Sequence, residues 1–289
     1  MSTTSKPKVI YIAGAGHSGT TLLDLALDVS PDTFSVGELK HLDQFLTDTN
    51  KKHTDDTGAT ANESRFWSWF YEQQDRYLPP ARTERVLSRL NRLHILLRGK
   101  PKTVPRRYVD NEQLYADIQA QAAAVTGTKP AAIIDSSKVL SRLIELNECT
   151  DIELYVVHIV RDVRGVAYSY YKHDRPTASR VFEWLASNVG TARYARKNIP
   201  SERYLRVQYE EFAAQPEETL QYIAAEVGIR INAAKLMDTI NETSSYRFGG
   251  NGMRNRNISE IKPNTTWRHH LPLWYRCMCA PCNWLMRLS

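Results

Sequence analysis

The run Lys8–Thr21, KVIYIAGAGHSGTT, constrains the fold more than any other stretch of the chain. Lys8–Ala13 is short, apolar and rich in β-branched residues, the pattern of a strand buried on both faces. It ends at Gly14, Gly16 and Gly19, and Thr20–Val29 then reads as a helix stopped by Ser30-Pro31. A plain tight turn would need no more than that. Glycines at such a turn also let backbone N–H groups approach an anion at the helix N-terminus. The turn fits G-x-G-x-x-G, the dinucleotide fingerprint, with Glu38 19 residues beyond Gly19. It equally fits the P-loop G-x-x-x-x-G-K-[ST], except that Thr20 stands where the lysine would be. Without that charge ATP hydrolysis is not expected, whereas binding of a less charged 5′-phosphoryl group is.

Further strands are expected at Thr33–Val36, Ala131–Asp135, Glu153–Val160 and Tyr204–Val207. Helices are expected at Arg65–Arg76, Arg82–Arg98, Asn111–Val125, Val139–Asn147, Asp162–Tyr171, Ser179–Asn198 and Pro216–Val227, with a polar loop over Lys51–Glu63. Strands alternating with helices predict an α/β fold: one P-loop-like, doubly wound parallel β-sheet flanked by helices, in a single domain over 1–289. The helices of about 65–125 form an insertion over one side of it. With 289 residues, 42% of them hydrophobic, the chain can bury a large core, which excludes disordered, collagen-like and disulfide-framework classes. Four cysteines and no readable targeting or membrane-spanning segment point to a reducing, cytoplasmic setting.

The net charge of +6 is concentrated. Arg82–Arg107 holds nine basic residues and one acid, a net +8 that leaves −2 for the rest. Val86, Leu90, Leu93 and Leu97 recur at helical spacing and predict the packed stripe of this helix, with Arg82, Arg85, Arg89 and Arg92 on another face. That face is either simply solvated or a surface that draws an anionic substrate or lipid headgroup. Nucleic acid is not expected, because no aromatic residue interleaves the arginines.

A second anchor follows the strand Glu153–Val160. Arg161 and Ser169 are eight apart, just over two helical turns, so they lie on one side. A strand-end arginine and a hydroxyl aimed one way make a phosphate clamp. The plainer alternative is a helix capped by Asp162 with Arg161 in a surface ion pair.

Taken together, the two anchors resemble the sulfotransferase superfamily, nearer its bacterial and Golgi-type branches. Gly16–Thr21 (GHSGTT) before Leu22-Leu23 resembles the 5′-phosphosulfate loop, and Arg161–Ser169 (RDVRGVAYS) resembles the 3′-phosphate element. Asp135–Lys138 (DSSK), Tyr204–Phe212 (YLRVQYEEF) and Gly249–Arg254 (GGNGMR), with Trp267-Arg268 beyond, are similar to further elements in the same order. The resemblance implies 3′-phosphoadenosine 5′-phosphosulfate (PAPS) as co-substrate, transfer of its sulfuryl group to a hydroxyl or amine, and no metal. It implies donor contacts from Gly16, His17, Ser18, Gly19, Thr20, Thr21, Arg161, Ser169, Tyr209, Asn251 and Arg254, and a C-terminal cofactor loop and tail over about 245–289. For the chemistry it implies Glu38 as general base, Lys138 at the sulfuryl or bridging oxygen, and His17 beside the leaving group, where most members carry Lys or Arg. Asp135 is the second candidate base. The acceptor is a small molecule, glycan or lipid, and an anionic one would suit the basic segment.

Two other readings stay open: a Rossmann-type oxidoreductase using Gly14, Gly16, Gly19 and Glu38, and a non-catalytic nucleotide-binding protein. Cys277, Cys279 and Cys282, with His269 and His270 upstream, lack the paired spacing of a zinc site, so no metal is expected. The aromatic tail of Trp274, Tyr275, Trp284, Leu285 and Met286 is expected to pack on the domain or to touch a membrane weakly, with Arg276 and Arg287 flanking it. The sequence does not fix the oligomeric state.

Overall fold

A computed structural model describes residues 6–47, 53–78, 89–173, 177–242, 246–250 and 257–288. Its strands are β1 (Lys8–Ala13), β2 (Thr33–Gly37), β3 (Ala132–Lys138), β4 (Glu153–Val160) and β5 (Tyr204–Gln208). They form one sheet in the order β2-β3-β1-β4-β5, every neighbouring pair parallel. The helices of the first half are α1 (Thr20–Leu27), α2 (Leu42–Thr47), α3 (Ser68–Glu72), α4 (Gln74–Tyr77), α5 (Arg89–Arg98), α6 (Asn111–Thr126) and α7 (Leu140–Asn147). Those of the second half are α8 (Val163–Tyr171), α9 (Thr177–Asn198), α10 (Tyr209–Ala214), α11 (Pro216–Val227), α12 (Leu236–Thr239), α13 (Trp267–His270) and α14 (Leu273–Leu288). The doubly wound α/β fold expected from the sequence is therefore present.

Side-chain alternation along the strands builds a core on each face of the sheet. Val9, Tyr11 and Ala13 of β1 join one cluster with Leu114, Ile118 and Leu143, while Ile10 and Ile12 join the other with Leu23, Leu27 and Ile223. Both faces are covered by helices, so the strands read as continuous apolar runs.

The strand order separates two readings that the glycine turn left open. β3 lies between β1 and β2. The end of β2, where Glu38 sits, is thus two strand spacings, about 10 Å, from the glycine turn. In the dinucleotide-binding fold β1 and β2 are neighbours and the acidic residue reaches the ribose. That reading does not survive the topology.

The insertion is helical, but α5 presents a different face from the one the spacing predicts. Leu93 and Leu97 are 52% and 72% exposed, and the buried residues are Asn91 and Ile95. Asn91 turns inward because it organises the following loop. Its Oδ1 accepts from the N–H groups of Lys102 (3.0 Å) and Thr103 (3.2 Å), and its Nδ2 donates to the Thr103 carbonyl at 3.1 Å. The α5 carboxyl end is held by α9, where Lys197 Nζ donates to the Arg98 carbonyl and Asn198 Nδ2 to that of Gly99, both at 2.7 Å. Arg82, Arg85 and Val86, and the side chains of Arg89 and Leu90, lie outside what is described.

β4 contributes one buried titratable group. The His158 ring accepts from the Tyr204 hydroxyl at Nδ1 (2.8 Å) and donates from Nε2 to Asn188 Oδ1 (2.9 Å), which fits the neutral ring. Burial pushes its pKa down to about 4, against the opposing Asn188 bond. Below pH 6.5 the unfolded chain binds this proton and the native one does not, so stability falls as pH drops from 6.5 toward 4. Lowering the pH from about 7.5 to 5 is expected to cost on the order of 2 kcal/mol through His158 alone. Urea unfolding of wild type and His158→Gln at both pH values measures it: the stability difference between the two proteins shrinks by that amount at the lower pH.

Candidate active site

All five strands deliver a candidate residue at the same edge of the sheet. Ala13 of β1 pairs with Lys138 of β3 and His158 of β4, so the carboxyl ends are level. The glycine turn follows β1, Glu38 follows β2, Lys138 ends β3, Arg161 follows β4 and Tyr209 follows β5. The order in which the chain adds strands switches sides between β1 and β4, and open α/β sheets bind ligands in the crevice outside such a point.

The turn from β1 into α1 is shaped by close packing. Gly19 has φ of 91°, and a Cβ placed on it would come within 2.4 Å of the Tyr209 ring. Tyr209 is buried against it and carries the Arg161 guanidinium 4.4 Å above its ring centroid. Arg161 Nη1 donates to the His17 carbonyl at 2.9 Å. The glycine turn and the strand-end arginine therefore touch directly, and Tyr209 is the wedge beneath both. Ser18 Oγ and Arg161 Nε are buried with no hydrogen-bond partner among the described residues. The first N–H groups of α1 have no partner within the helix. Ser18, Thr20, Thr21, Arg161 and these amides make a set of donors, which is what a phosphoryl group needs.

His17 has φ of 62° and Lys138 of 70°, the two non-glycine residues with positive φ among those described. Strain of this kind costs about 1–3 kcal/mol per residue and gathers at functional sites. The His17 ring meets Tyr170 edge-on, centroids 4.6 Å apart. The Ser169 hydroxyl donates back to the Gly165 carbonyl at 3.1 Å. Asp162 caps α8 by accepting from Arg164 N at 2.8 Å. The cap that offered a plainer reading of this motif is thus real, but Arg161 bonds the loop instead of a surface acid.

On the other side of the crevice Glu38 is 4% exposed and closely paired. Oε1 accepts from Lys138 Nζ, and Oε2 lies 2.8 Å from Lys40 Nζ and 3.5 Å from His41 Nε2. Burial alone would raise this carboxyl, but the charges of Lys138 and Lys40 outweigh it and hold the pKa down to about 2. Burial lowers the Lys40 pKa despite Glu38, and lowers that of His41 together with the Lys40 and Arg107 charges, against Glu38 and Asp43. The turn carrying these groups is pinned from three directions. Lys40 N donates to Ser137 Oγ (3.0 Å), Arg107 Nη1 and the Tyr108 hydroxyl reach the Lys40 and Leu39 carbonyls (2.5 and 2.6 Å), and Glu38 N donates to the Phe248 carbonyl (2.9 Å). Gly37, with φ of 72°, would place a Cβ 2.3 Å from that same carbonyl oxygen.

Asp135, the second candidate base, sits in the core. One oxygen accepts from Ser137 N (2.9 Å) and its hydroxyl, the other from the Tyr115 hydroxyl (2.7 Å) and Arg142 (3.4 Å), and the residue is fully buried. It orients neighbours and does not line the cleft. Asn251 and Arg254 lie outside the described residues. Among those described, no group of three or more His, Cys, Asp or Glu gathers as a metal site. Cys279 is buried while Cys277 is exposed.

Between the two sides opens a cleft of about 1130 Å³. Gly14–Gly16, Lys138, Lys40, His41, Arg107 and Arg92 line it, with Tyr170, Arg180, Glu183 and Trp184 from α8 and α9. Lys40, Arg92, Arg107, Lys138 and Arg180 line it against the acids Asp43, Asp75 and Glu183, with Glu38 behind the two lysines, so the wall keeps a small positive excess. His41, Lys40 and Tyr170 were not singled out from the sequence. Only the ELKH spacing three residues from Glu38 could have suggested His41.

Residues 153–233 match the family model described as the sulfotransferase family, a segment from β4 through α11 that includes Arg161, Ser169 and Tyr209. Among solved structures the chain is similar to the sulfotransferase domain of the Synechococcus PCC 7002 olefin synthase, at 19% identity, with 94% of this chain and 91% of that one covered and a TM-score of 0.53. It is similar also to the sulfotransferase domain of the curacin biosynthetic pathway, at 15% identity, with 91% and 87% covered and a TM-score of 0.50. No curated protein matches it in sequence. The chain has the fold of these sulfotransferase domains, and its residues 153–233 match the family model.

The packing of Gly19 on Tyr209 gives a direct test. Gly19→Ala combines left-handed strain with a clash, each worth about 1–3 kcal/mol. In a Tyr209→Ala background the clash is gone and the penalty is expected to fall by at least about 1 kcal/mol, measured as the coupling energy of a double-mutant cycle in denaturant unfolding.

Proposed function

We propose that the chain is a sulfotransferase that moves the sulfuryl group of PAPS to a hydroxyl or amine of an acceptor seated in the cleft. The observation that carries this reading is the Arg161 contact with the His17 carbonyl, which joins a glycine-turn anion site to a strand-end cation. Two anion-binding elements in contact suit a nucleotide phosphorylated at both 5′ and 3′ positions. Ser18 Oγ and Arg161 Nε, buried and without a hydrogen-bond partner among the described residues, are donors suited to such a ligand. Gly16, His17, Thr20 and Thr21 hold the 5′ side in this reading, Arg161 and Ser169 the 3′ side, and Tyr209 keeps Arg161 in place.

The donor supplies an activated sulfuryl group: its S–O bond to phosphate breaks as a new bond forms from sulfur to the acceptor oxygen or nitrogen, and the acceptor loses a proton. Lys138, with Lys40, stabilises the charge carried by the transferred group and the leaving oxygen. A carboxylate held near 2 accepts a proton poorly. We assign that proton to His41, which lines the cleft and turns Nε2 toward Glu38, leaving Nδ1 for the acceptor. Glu38 then orients the imidazole and fixes both lysines. The net basic wall, Arg92 included, favours an acceptor that carries negative charge.

Sulfur-labelled PAPS offered with phenols, glycans and lipid alcohols tests the activity. Label is expected in one of these classes and to stay there with a chelator present. Tight binding of adenosine 3′,5′-bisphosphate with no transfer to any class would favour a non-catalytic binder. The pH dependence of kcat/KM separates the bases. If His41 is the base, the rate rises with pH through one limb centred below the 6.5 of free imidazole. His41→Asn then removes the limb and about 10²–10⁴ in rate. Glu38→Gln moves the limb to lower pH, because it deletes the carboxylate that raises the His41 pKa. A limb untouched by His41→Asn but abolished by Glu38→Gln would return the role to Glu38.

A further inference from the structure

Helix α14 has two apolar faces, and the described residues cover one of them. Cys279 and Met286 are buried, and Tyr275 and Cys282 pack partly against the cluster formed with α8 and α9. On the far side Leu273, Trp274, Met278, Trp284 and Leu285 are 66%, 62%, 38%, 61% and 43% exposed. At 100° per residue these five fall within one arc of about 140°. Trp274 and Trp284 are ten residues apart, so they mark points about 15 Å apart along the helix axis. No helix among the described residues is long and apolar enough to cross a membrane, so α14 could engage a bilayer only by lying along it.

Charge says what covers this face. From residue 261 to 289 there is no Asp or Glu, while Arg268, Arg276 and Arg287 are basic; Lys262 is paired with Glu260 at 2.6 Å. Asp162, the carboxylate that reaches α14 through Asn283 at 2.8 Å, is already neutralised by Arg164. At the start of the helix Tyr275 meets Tyr171 with ring centroids 5.9 Å apart, and exposed Lys172 adjoins that contact. Tryptophans on an apolar helix face, flanked by cations and free of acids, match the interface of an anionic bilayer. A protein partner for so large an apolar face gives no reason for the missing carboxylates.

We infer that the exposed face of α14 docks the protein on an anionic lipid bilayer, the helix lying in the headgroup layer with Trp274 and Trp284 inserted. This does not depend on the proposed chemistry. Because α14 packs on α8 and α9, whose other residues line the cleft, docking would hold the cleft close to the lipid surface.

Flotation of the full chain with phosphatidylcholine vesicles, with and without phosphatidylglycerol, tests it. Binding is expected with phosphatidylglycerol and to be at least tenfold weaker without it. Trp274→Ser/Trp284→Ser should abolish binding while circular dichroism is unchanged, since both side chains are exposed. Arg268→Gln should weaken it roughly fivefold, the value of about 1 kcal/mol per cation at such a surface. Lipids brominated in the acyl chain should quench wild-type tryptophan emission and not that of Trp274→Phe/Trp284→Phe. Failure of the wild type to float with either vesicle, or equal binding to both, overturns the inference. So does a wild-type dimer in sedimentation that Trp274→Ser/Trp284→Ser splits, because the face would then be covered by a second copy.

Discussion

Arg161 is where the two halves of the site meet. Its guanidinium lies on Tyr209 and bonds the His17 carbonyl, so β4, β5 and the glycine turn after β1 are locked into one arrangement. Each part depends on the others: Gly19 must be glycine for Tyr209 to come close, and Tyr209 must be close for Arg161 to reach the turn. A cation held this way is preorganised. It spends little on ordering when an anion arrives, which is the condition for tight phosphate recognition.

The opposite wall follows a different logic. Glu38 is buried between two lysines, an arrangement that would be costly if any member were unpaired. Its effect is to place two ammonium groups and an imidazole along one side of the cleft. The insertion supplies the clamps, since Arg107 and Tyr108 hold the turn from outside the sheet. Phe248 holds it from the other end of the chain and stacks on Phe45 with centroids 4.6 Å apart. This wall of the cleft is thus assembled from segments over 200 residues apart in sequence, between Leu39 and Phe248.

What could be read from the sequence followed from local physics. β1 and β4 begin and end as expected because strands buried on both faces are unbroken apolar runs. The glycine turn and Arg161–Ser169 were legible because strand ends, glycines and cations carry positional meaning. The α5 face was misread because a buried asparagine, bonded to the next loop, outweighed the leucine spacing. Glu38 was found but its environment was not: Lys138 reaches it from the end of β3, a meeting no one-dimensional pattern encodes, and Lys40 folds back on it within the same turn. His41 was missed for the same reason, since its significance lies in facing Glu38 across a pinned turn.

The central claim is that the glycine turn and Arg161 form one site for a nucleotide phosphorylated at both ends of its ribose. Calorimetric titration with adenosine 3′,5′-bisphosphate and with adenosine 5′-phosphate addresses it most directly. The account predicts a clear preference of the wild type for the bisphosphate, and loss of most of that preference in Arg161→Ala, about 1.5–3 kcal/mol for a charge-assisted contact. Equal affinity of the wild type for the two nucleotides, or a preference that Arg161→Ala leaves intact, would contradict it.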